Sequence, residues 1–384
     1  MVTKLTGGKL ILPEGIVENK SVYYENGTII AVTDKELPFD CEKNANGNYI
    51  SPGFIDLHVH GGAGYEFVDA TEEAVIKACE IHFNHGTTTI YPTFSSYSTQ
   101  KVIDSARIVR EVKEKGLVKC DIAGIHLEGP YFSPKQTGAQ KSDQLRAPQK
   151  DEYEPILKEY GDIIARWSYA PEVDVDLEFI KSLNDYGIKA SAAHTDAEYS
   201  HMMEAYNNGM NLITHLYSCT STITRRSGFR ILGVLETAFL VDDIAVETIA
   251  DGCHLPPELL KMIYKIKGAD KMCLVTDSIR PGGLADSANP DDLETEDYLI
   301  EDGVAKLKDR SAFAGSIATA DTLVRTCVKK AGIPLTEAVK MITQTPAEIM
   351  KLDKKGKIMY GYDAEFVIFD EDINVVEVIR QSKR

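Results

Sequence analysis

A strand followed by a helix recurs along most of this sequence, and that alternation limits the folds that the chain can adopt. Eight short, mainly apolar runs are predicted as strands: residues 53–60, 87–94, 122–128, 164–171, 189–194, 212–216, 245–250 and 271–277. Capping residues, prolines and glycines mark helices between them, at residues 72–84, 176–185, 199–208 and 258–266. Alternating βα units predict a parallel sheet, and eight of them favour closure into a (β/α)₈ barrel. The alternative, an open doubly wound sheet, would leave its terminal strands unpaired.

The two ends of the chain lack this alternation and are predicted to form antiparallel β structure. Residues 9–12, 21–25 and 28–32 are apolar or aromatic runs, and Asn26-Gly27 supplies a hairpin turn between the last two. Residues 364–369 form a similar run near the C-terminus. Because chain termini often lie close together, both ends can share one domain. We therefore predict an α/β protein with a (β/α)₈ TIM barrel at residues 53–344 and a small β-sandwich domain at residues 1–52 and 345–384.

Charge and cysteine usage indicate which partners and which compartment suit the chain. The net charge of -17 argues against nucleic acid, because such a surface would repel its phosphates. An anionic small substrate remains compatible, since Arg225, Arg226 and Arg230 can reverse the local field. No apolar run approaches the roughly 20 residues of a membrane span. Seven scattered cysteines without a C-x-x-C motif, and an N-terminus without a signal peptide, predict a reducing compartment, by default the cytoplasm.

Imidazoles and carboxylates stand where five of the predicted strands end. They are His58 and His60 on the first strand, Glu128 on the third, His194 on the fifth, His215 on the sixth and Asp277 on the eighth. The carboxyl ends of barrel strands meet at one mouth, where active sites of this architecture are built. Residues two apart on a strand face the same side, as two ligands of one cation must. The shared position of these side chains therefore predicts a metal site.

The donor types indicate the chemistry of such a site. Imidazoles with carboxylates suit zinc, and also iron, nickel or manganese, while the number of ions, one or two, stays open. A divalent cation lowers the pKa of water toward 7, which allows attack on a carbonyl at neutral pH. Asp277 is the natural proton shuttle to the leaving amine, although it could also cap the loop that follows it. His126 lies deeper on the third strand, and we expect it to pack or to support a ligand.

Several motifs resemble a known family. Residues 51–61, SPGFIDLHVHG, resemble the opening strand of the amidohydrolase superfamily, and residues 124–131, GIHLEGPY, resemble the N-acetylglucosamine-6-phosphate deacetylases within it. Further matches follow in order at residues 170–172, 193–197, 214–217, 251–254, 274–277, 314–316, 356–358 and 361–364. The resemblance implies a metal-dependent hydrolase that removes the acetyl group from N-acetylglucosamine-6-phosphate, which gives glucosamine-6-phosphate and acetate.

The resemblance also implies a role for each matched position. Glu128, His194 and His215 would bind the principal metal, and His58 and His60 would form a second, more variable site. Asp277 would be the catalytic base and acid. Substrate contacts would come from Ala139, Gln140, Ser218, Cys219, His254, Phe313, Ala314 and Gly315. Members are commonly homodimers, and an arginine that matches Arg226 reaches the substrate phosphate from the partner subunit.

The substrate-binding loop departs from the family pattern. Ser218-Cys219-Thr220 replaces the usual Asn-Ala-Met, whose first two residues help to seat the substrate. Residues 225–229 replace a His-Arg-x-Pro-Gly pattern, so the arginines there are either phosphate contacts or plain surface charges. Metal binding and hydrolysis are therefore better supported than the identity of the sugar. Two alternatives stay open: a related hydrolase of another acyl amino sugar or a cyclic amide, and a barrel that serves as a non-catalytic module.

Overall fold

Eight parallel strands form the centre of the computed structural model, which describes residues 1–284 and 295–381. These barrel strands, first to eighth, are Phe54–Val59, Thr87–Phe94, Ile125–Glu128, Ile164–Tyr169, Lys189–Ala192, Leu212–Ile213, Ala245–Ile249 and Met272–Val275. Each pairs in parallel with the next. A bridge between Val59 and Ser278 brings the end of the eighth strand back to the first. The predicted (β/α)₈ barrel is confirmed.

Helices connect the barrel strands and cover the outside of the barrel. They are Glu72–Asn84, Thr99–Lys115, Lys150–Tyr160, Glu178–Asp185, Tyr199–Asn207, Val234–Leu240, Pro257–Lys267, Ala320–Arg325, Leu335–Ile342 and Gln344–Ile349. Short 3₁₀ or π turns occupy Phe67–Asp69, Ser142–Gln144, Pro171–Val173 and Thr326–Lys330. The apolar faces of the helices and the outward-facing side chains of the strands form one large core.

The bounds of the predicted elements differ from the observed ones by a few residues, for local reasons. The predicted strand at 122–128 is interrupted, since its first part is the separate strand Asp121–Ile122. The helix predicted to begin at residue 176 begins at Glu178. This start is set by the Asp174 carboxylate, which accepts hydrogen bonds from the backbone N–H groups of Phe179 and Ile180 at 3.1 and 3.0 Å. The helix Glu72–Asn84 has the predicted bounds, and the Thr71 hydroxyl caps it through the N–H of Ala74.

Two small sheets from both ends of the chain pack face to face beside the barrel. One contains Thr3–Thr6, Ser21–Glu25, Thr28–Thr33 and Cys41–Asn44, and the other contains Lys9–Leu12, Gly15–Val17, Tyr49–Pro52, Glu365–Phe369 and Val375–Arg380. Glu365–Phe369 pairs antiparallel with Tyr49–Pro52, which places both chain ends in one sheet. Buried side chains such as Leu5, Leu10 and Phe366 fill the space between the sheets. The domain boundaries at residues 52/53 and 344/345 remain a prediction.

Further β structure lies on the side of the barrel where the strands end. A three-stranded antiparallel sheet comprises Tyr298–Glu301, Val304–Leu307 and Phe313–Gly315, and two hairpins comprise Gly61–Gly62 with Tyr65–Glu66 and Thr224–Arg226 with Phe229–Ile231. The three-stranded sheet packs on Ile279, just beyond the eighth strand. Within residues 1–284 and 295–381, every helix is too short or too polar to cross a bilayer.

Candidate active site

The six side chains predicted as metal ligands meet at the mouth of the barrel in two groups. One group is Glu128, His194 and His215, and the other is His58, His60 and Asp277. In each group, one ligand atom per residue lies within 4.8 Å of the others. All six side chains are almost inaccessible to solvent. The barrel therefore places together residues that are up to about 220 positions apart in the chain, as expected for a mouth built from strand ends.

The first group is organised around the Glu128 carboxylate. Its Oε1 lies 3.2 Å from His194 Nε2 and 3.0 Å from His215 Nε2. Its Oε2 accepts a hydrogen bond from Gln140 Nε2 at 2.9 Å. His194 Nδ1 lies 2.9 Å from the carbonyl of Gln136, a contact that assigns the proton to Nδ1 and leaves the lone pair of Nε2 directed at the group.

The second group adjoins the first on the opposite side of Glu128. His58 Nε2 lies 3.1 Å from His60 Nε2, and Asp277 Oδ1 lies 3.3 and 3.1 Å from these two atoms. Glu128 Oε2 is 3.8 Å from His58 Nε2 and 3.4 Å from His60 Nε2, so this carboxylate stands between the groups. Ser95 Oγ lies 3.2 Å from His60 Nδ1 and supports that ring from behind.

Backbone conformation turns three of these side chains into the mouth. The fifth, sixth and eighth strands each end two residues earlier, and His194, His215 and Asp277 then adopt positive φ angles of 43°, 27° and 49°. Non-glycine residues rarely occupy this region, and such strain gathers at functional sites. The conformation bends the chain away from the strand direction while each side chain stays above the barrel.

Electrostatic interactions in the two groups favour positive charge at their centre. Burial opposes a charged His58, yet the carboxylates of Asp277 and Glu128 outweigh it and raise the pKa of His58 to about 10. Burial likewise opposes a charged Asp277, but His58 and His60 lower its pKa to about 2. For Glu128, hydrogen bonds from His194 and His215 overcome burial and hold its pKa well below the usual range. A low-dielectric cleft with two ionised carboxylates therefore attracts a cation.

The donor set fits a divalent cation of the first transition row. Each group offers imidazole nitrogen and carboxylate oxygen, without a thiolate, which is the preference of zinc and of the neighbouring metals. A cation at either centre would replace the imidazolium charge that the carboxylates otherwise stabilise. His215 Nδ1 is buried and, among the described residues, has no hydrogen-bond partner, so Nε2 is the nitrogen that faces other polar atoms. Residues able to bind a metal are thus present.

A cavity of about 540 Å³ opens above the two groups and is large enough for a sugar phosphate. Of the predicted substrate contacts, seven line this cavity: Ala139, Gln140, Ser218, Cys219, His254, Phe313 and Ala314. His254 Nδ1 lies 2.7 Å from Asp251 Oδ2, and the rings of His254 and Phe313 are 4.7 Å apart. Gln140 lines the cavity and also contacts the first group, because its side-chain amide donates a hydrogen bond to Glu128.

Two predicted contacts lie elsewhere in this single chain. Gly315 packs against Ile279, where a Cβ atom would come within 2.6 Å of the side chain, and it is not among the described residues that line the cavity. Arg226 is 67% exposed on the hairpin Thr224–Arg226 and forms an ion pair with Glu198. Arg226 therefore does not meet the cavity of its own chain in the described structure.

Several polar residues near the ligands were not predicted. Ser95 follows the second strand, and Arg166 and Glu247 lie inside the barrel beneath His58. A charged residue within an apolar strand, such as Glu247 in AVETI, was the available signal for the last two. His126, which was expected to pack or to support a ligand, lies 2.6 Å from Ser168 Oγ through Nε2.

Comparisons with known proteins agree with this geometry. The sequence model of the amidohydrolase family matches residues 49–384. The N-acetylglucosamine-6-phosphate deacetylase of Bacillus subtilis (strain 168) is 30% identical over 377 residues, which cover 96% of this chain and 93% of the relative. The human protein of the same name is 28% identical over 385 residues, which cover 97% of this chain and 91% of the relative. The resemblance read from the sequence motifs is confirmed.

Solved structures extend the likeness to the whole fold. The N-acetylglucosamine-6-phosphate deacetylase of Pasteurella multocida superposes with a TM-score of 0.89 at 25% identity, covering 100% of this chain and 99% of that chain. An Asp-to-Ala mutant of the Mycobacterium smegmatis enzyme, in complex with N-acetyl-D-glucosamine-6-phosphate, superposes with a TM-score of 0.87 at 27% identity, covering 100% and 98%. The likeness therefore includes both the barrel and the β structure at the chain ends.

Proposed function

This chain belongs to the amidohydrolase family, and we propose that it removes the acetyl group from an N-acetyl amino-sugar phosphate, with N-acetylglucosamine-6-phosphate as the preferred substrate. The observation that carries the proposal is the pair of buried ligand groups at the floor of a cavity of about 540 Å³. Relatives named N-acetylglucosamine-6-phosphate deacetylase match this chain over nearly its whole length. The products would be acetate and the free amino-sugar phosphate.

The proposed reaction is an amide hydrolysis at the boundary between the two groups. When bound, a divalent cation would acidify water and polarise the acetyl carbonyl. Asp277 accepts the proton of the attacking water, because its pKa of about 2 keeps the carboxylate ionised at neutral pH. The bond from the water oxygen to the carbonyl carbon forms, the C–N bond breaks, and Asp277 returns the proton to the amine nitrogen.

The remaining residues divide between metal and substrate in this proposal. Glu128, His194 and His215 hold the principal ion, which we propose to be zinc, and His58 with His60 contributes to a second. Residues that line the cavity, such as Gln140 and His254, would contact the sugar. Asp277 lines the cavity together with Glu128, His194 and His215, which places the proposed proton carrier next to the proposed principal ion site.

The substrate proposal predicts a strong preference for the phosphorylated sugar. We expect kcat/KM for N-acetylglucosamine-6-phosphate to exceed that for N-acetylglucosamine by about 100-fold or more, since charge-assisted hydrogen bonds to phosphate contribute about 1.5–3 kcal/mol each. Release of acetate, followed with both substrates on the same metal-loaded sample, measures this ratio. A ratio near one would contradict the phosphate requirement and favour a hydrolase of another acyl amino sugar.

We further propose a homodimer in which Arg226 contacts the phosphate bound by the partner subunit. Its exposed position outside its own cavity supports this arrangement. Arg226→Ala is expected to raise KM for the phosphorylated substrate about 10–100-fold, the loss of one charge-assisted contact, with little change in kcat. Arg230→Ala, a change on the same hairpin, is the matched control. An unchanged KM in Arg226→Ala would remove the residue from the site.

Mixed dimers distinguish contact within a subunit from contact across subunits. A dimer of one Arg226→Ala chain and one Asp277→Asn chain contains a site with both native residues only if Arg226 acts on the partner. Mixing the two purified variants and allowing exchange is then expected to restore up to about a quarter of native activity at low substrate, as for a symmetric two-chain assembly. No recovery, despite light-scattering proof of exchanged dimers, would place Arg226 in its own site or in neither.

We propose the cytoplasm as the working compartment. All seven cysteines are free thiols, and four of them are buried among apolar side chains: Cys79, Cys120, Cys273 and Cys327. Thiols that persist without disulfide pairing suit a reducing environment.

A further inference from the structure

A charged pair lies inside the barrel directly beneath the second ligand group. Arg166 on the fourth strand and Glu247 on the seventh are both completely buried, as is His58 on the first. Branched apolar side chains usually fill this layer of a (β/α)₈ barrel. A buried ion pair costs several kcal/mol of desolvation for each ion and is often no more stabilising than apolar residues of the same volume. Stability alone therefore does not account for the pair.

The contacts of Glu247 divide between Arg166 and His58. Glu247 Oε1 accepts a hydrogen bond from Arg166 Nη1, which also donates to the carbonyl of Leu57 at 3.2 Å. Glu247 Oε2 lies 3.5 Å from His58 Nδ1. Within the described parts of the chain, neither of these two atoms has any hydrogen-bond partner. A movement of a few tenths of an ångström would bring these two atoms into a hydrogen bond, in which His58 Nδ1 donates and Glu247 Oε2 accepts.

This geometry fixes which nitrogen of His58 faces the mouth. In the neutral imidazole, the form that binds a cation, a proton on Nδ1 held by the Glu247 carboxylate leaves the lone pair on Nε2. His58 Nε2 is the atom that lies 3.1 Å from His60 Nε2 and 3.3 Å from Asp277 Oδ1. Arg166 neutralises Glu247, so that the carboxylate can act as a hydrogen-bond acceptor without leaving an unpaired charge in the barrel.

We propose that Glu247, balanced by Arg166, is a positioning residue that orients His58 so that the second group binds a second cation. The inference rests on the proposed metal-dependent function, but it concerns ion binding rather than turnover. The competing explanation is that the pair only fills the barrel, in which case its loss would weaken both ion sites together or neither.

Two double variants isolate the acceptor atom. Arg166→Met/Glu247→Gln and Arg166→Met/Glu247→Leu both remove the buried charges, but only the first keeps an oxygen that can accept from His58 Nδ1. Titration of the metal-free proteins with Co²⁺, followed by visible absorption and by elemental analysis after dialysis, counts the ions and measures their affinities. We expect two equivalents in the native protein. In the Leu variant, the second equivalent should bind at least about 10-fold more weakly than in the Gln variant, the usual cost of losing such support.

The controls separate positioning from packing and from the proposed activity. The first equivalent should bind with the same affinity, within about twofold, in the two double variants, because they differ only at residue 247, which contacts a ligand of the second group alone. Thr248→Val, a change on the same strand, should leave both equivalents unaltered. Equal second-site affinity in the two double variants, parallel weakening of both equivalents, or a single equivalent in the native protein would overturn the inference. None of these readouts depends on deacetylation, whose absence would instead contradict the proposed function.

A single substitution provides the test if the Arg166→Met/Glu247→Leu variant does not fold. Glu247→Asp keeps the negative charge beside Arg166 but shortens the side chain by one methylene, which moves the acceptor away from His58 Nδ1. We expect the second equivalent to weaken by about 10-fold, and an unchanged second-site affinity would overturn the proposal.

Discussion

An Asp277→Asn variant is expected to lose about 10³-fold or more of kcat while it keeps the ion held by Glu128, His194 and His215. The amide has the shape of the carboxylate but cannot accept a proton from water or return one to the leaving amine. The native carboxylate has a pKa of about 2 and stays ionised across the physiological pH range. A change in its protonation with pH therefore does not contribute to the expected loss of kcat. Steady-state kinetics with elemental analysis of the same sample measures both quantities.

A matched substitution tests whether the loss belongs to this position. Asp309→Asn makes the same chemical change on an exposed loop and should leave kcat unaltered. Near-native turnover in Asp277→Asn would assign proton transfer to another group. Loss of all metal from the variant would instead mean that Asp277 holds the ions in place, and the drop in kcat would then say nothing about proton transfer.

A Glu128→Ala variant is expected to lose the principal ion and, with it, measurable deacetylation. Glu128 Oε1 is within 3.2 Å of both imidazoles of its group, and Oε2 reaches toward His58 and His60. Removal of this carboxylate leaves two imidazoles, fewer than the three protein ligands of an ordinary catalytic site. Elemental analysis after dialysis against metal-free buffer gives the stoichiometry, and acetate release gives the activity.

The neighbouring amide supplies the comparison for this experiment. Gln140→Ala removes the hydrogen bond to Glu128 Oε2 at 2.9 Å but none of the six ligands. We expect this variant to keep its metal content, although its affinity for substrate changes. Full metal occupancy in Glu128→Ala would refute the assignment of the principal ligands, however much activity the variant loses.

Much of the barrel, and the proximity of the six candidate ligands at its mouth, could be predicted from the sequence, because both depend on local patterns. Apolar runs, caps and glycines predicted the strand positions to within a few residues. Because parallel barrel strands end at one mouth, Glu128, His194 and His215 could be predicted to lie together there. The identity of the family rested on motifs that surround these same strand ends.

The rest depends on contacts between distant segments, which no local pattern encodes. Glu247 reaches His58 across the barrel interior, over 189 positions, and its charge within an apolar strand did not reveal its partner. The sheet of residues 298–315 was not among the predicted elements. Arg226 was assigned to the substrate by resemblance, whereas in this chain it lies on an exposed hairpin and pairs with Glu198.

The sharing of one sheet by both chain ends has a consequence for how the protein is made. Tyr49–Pro52 leads directly into the strand that carries His58, yet its neighbour in the sheet, Glu365–Phe369, is synthesised more than 300 residues later. Closing so long a loop is entropically costly, and pairings of high contact order form slowly. We therefore expect the sheet edge beside the first barrel strand to stay unpaired until the C-terminal strands have been synthesised, and unpaired edges of this kind are prone to aggregation.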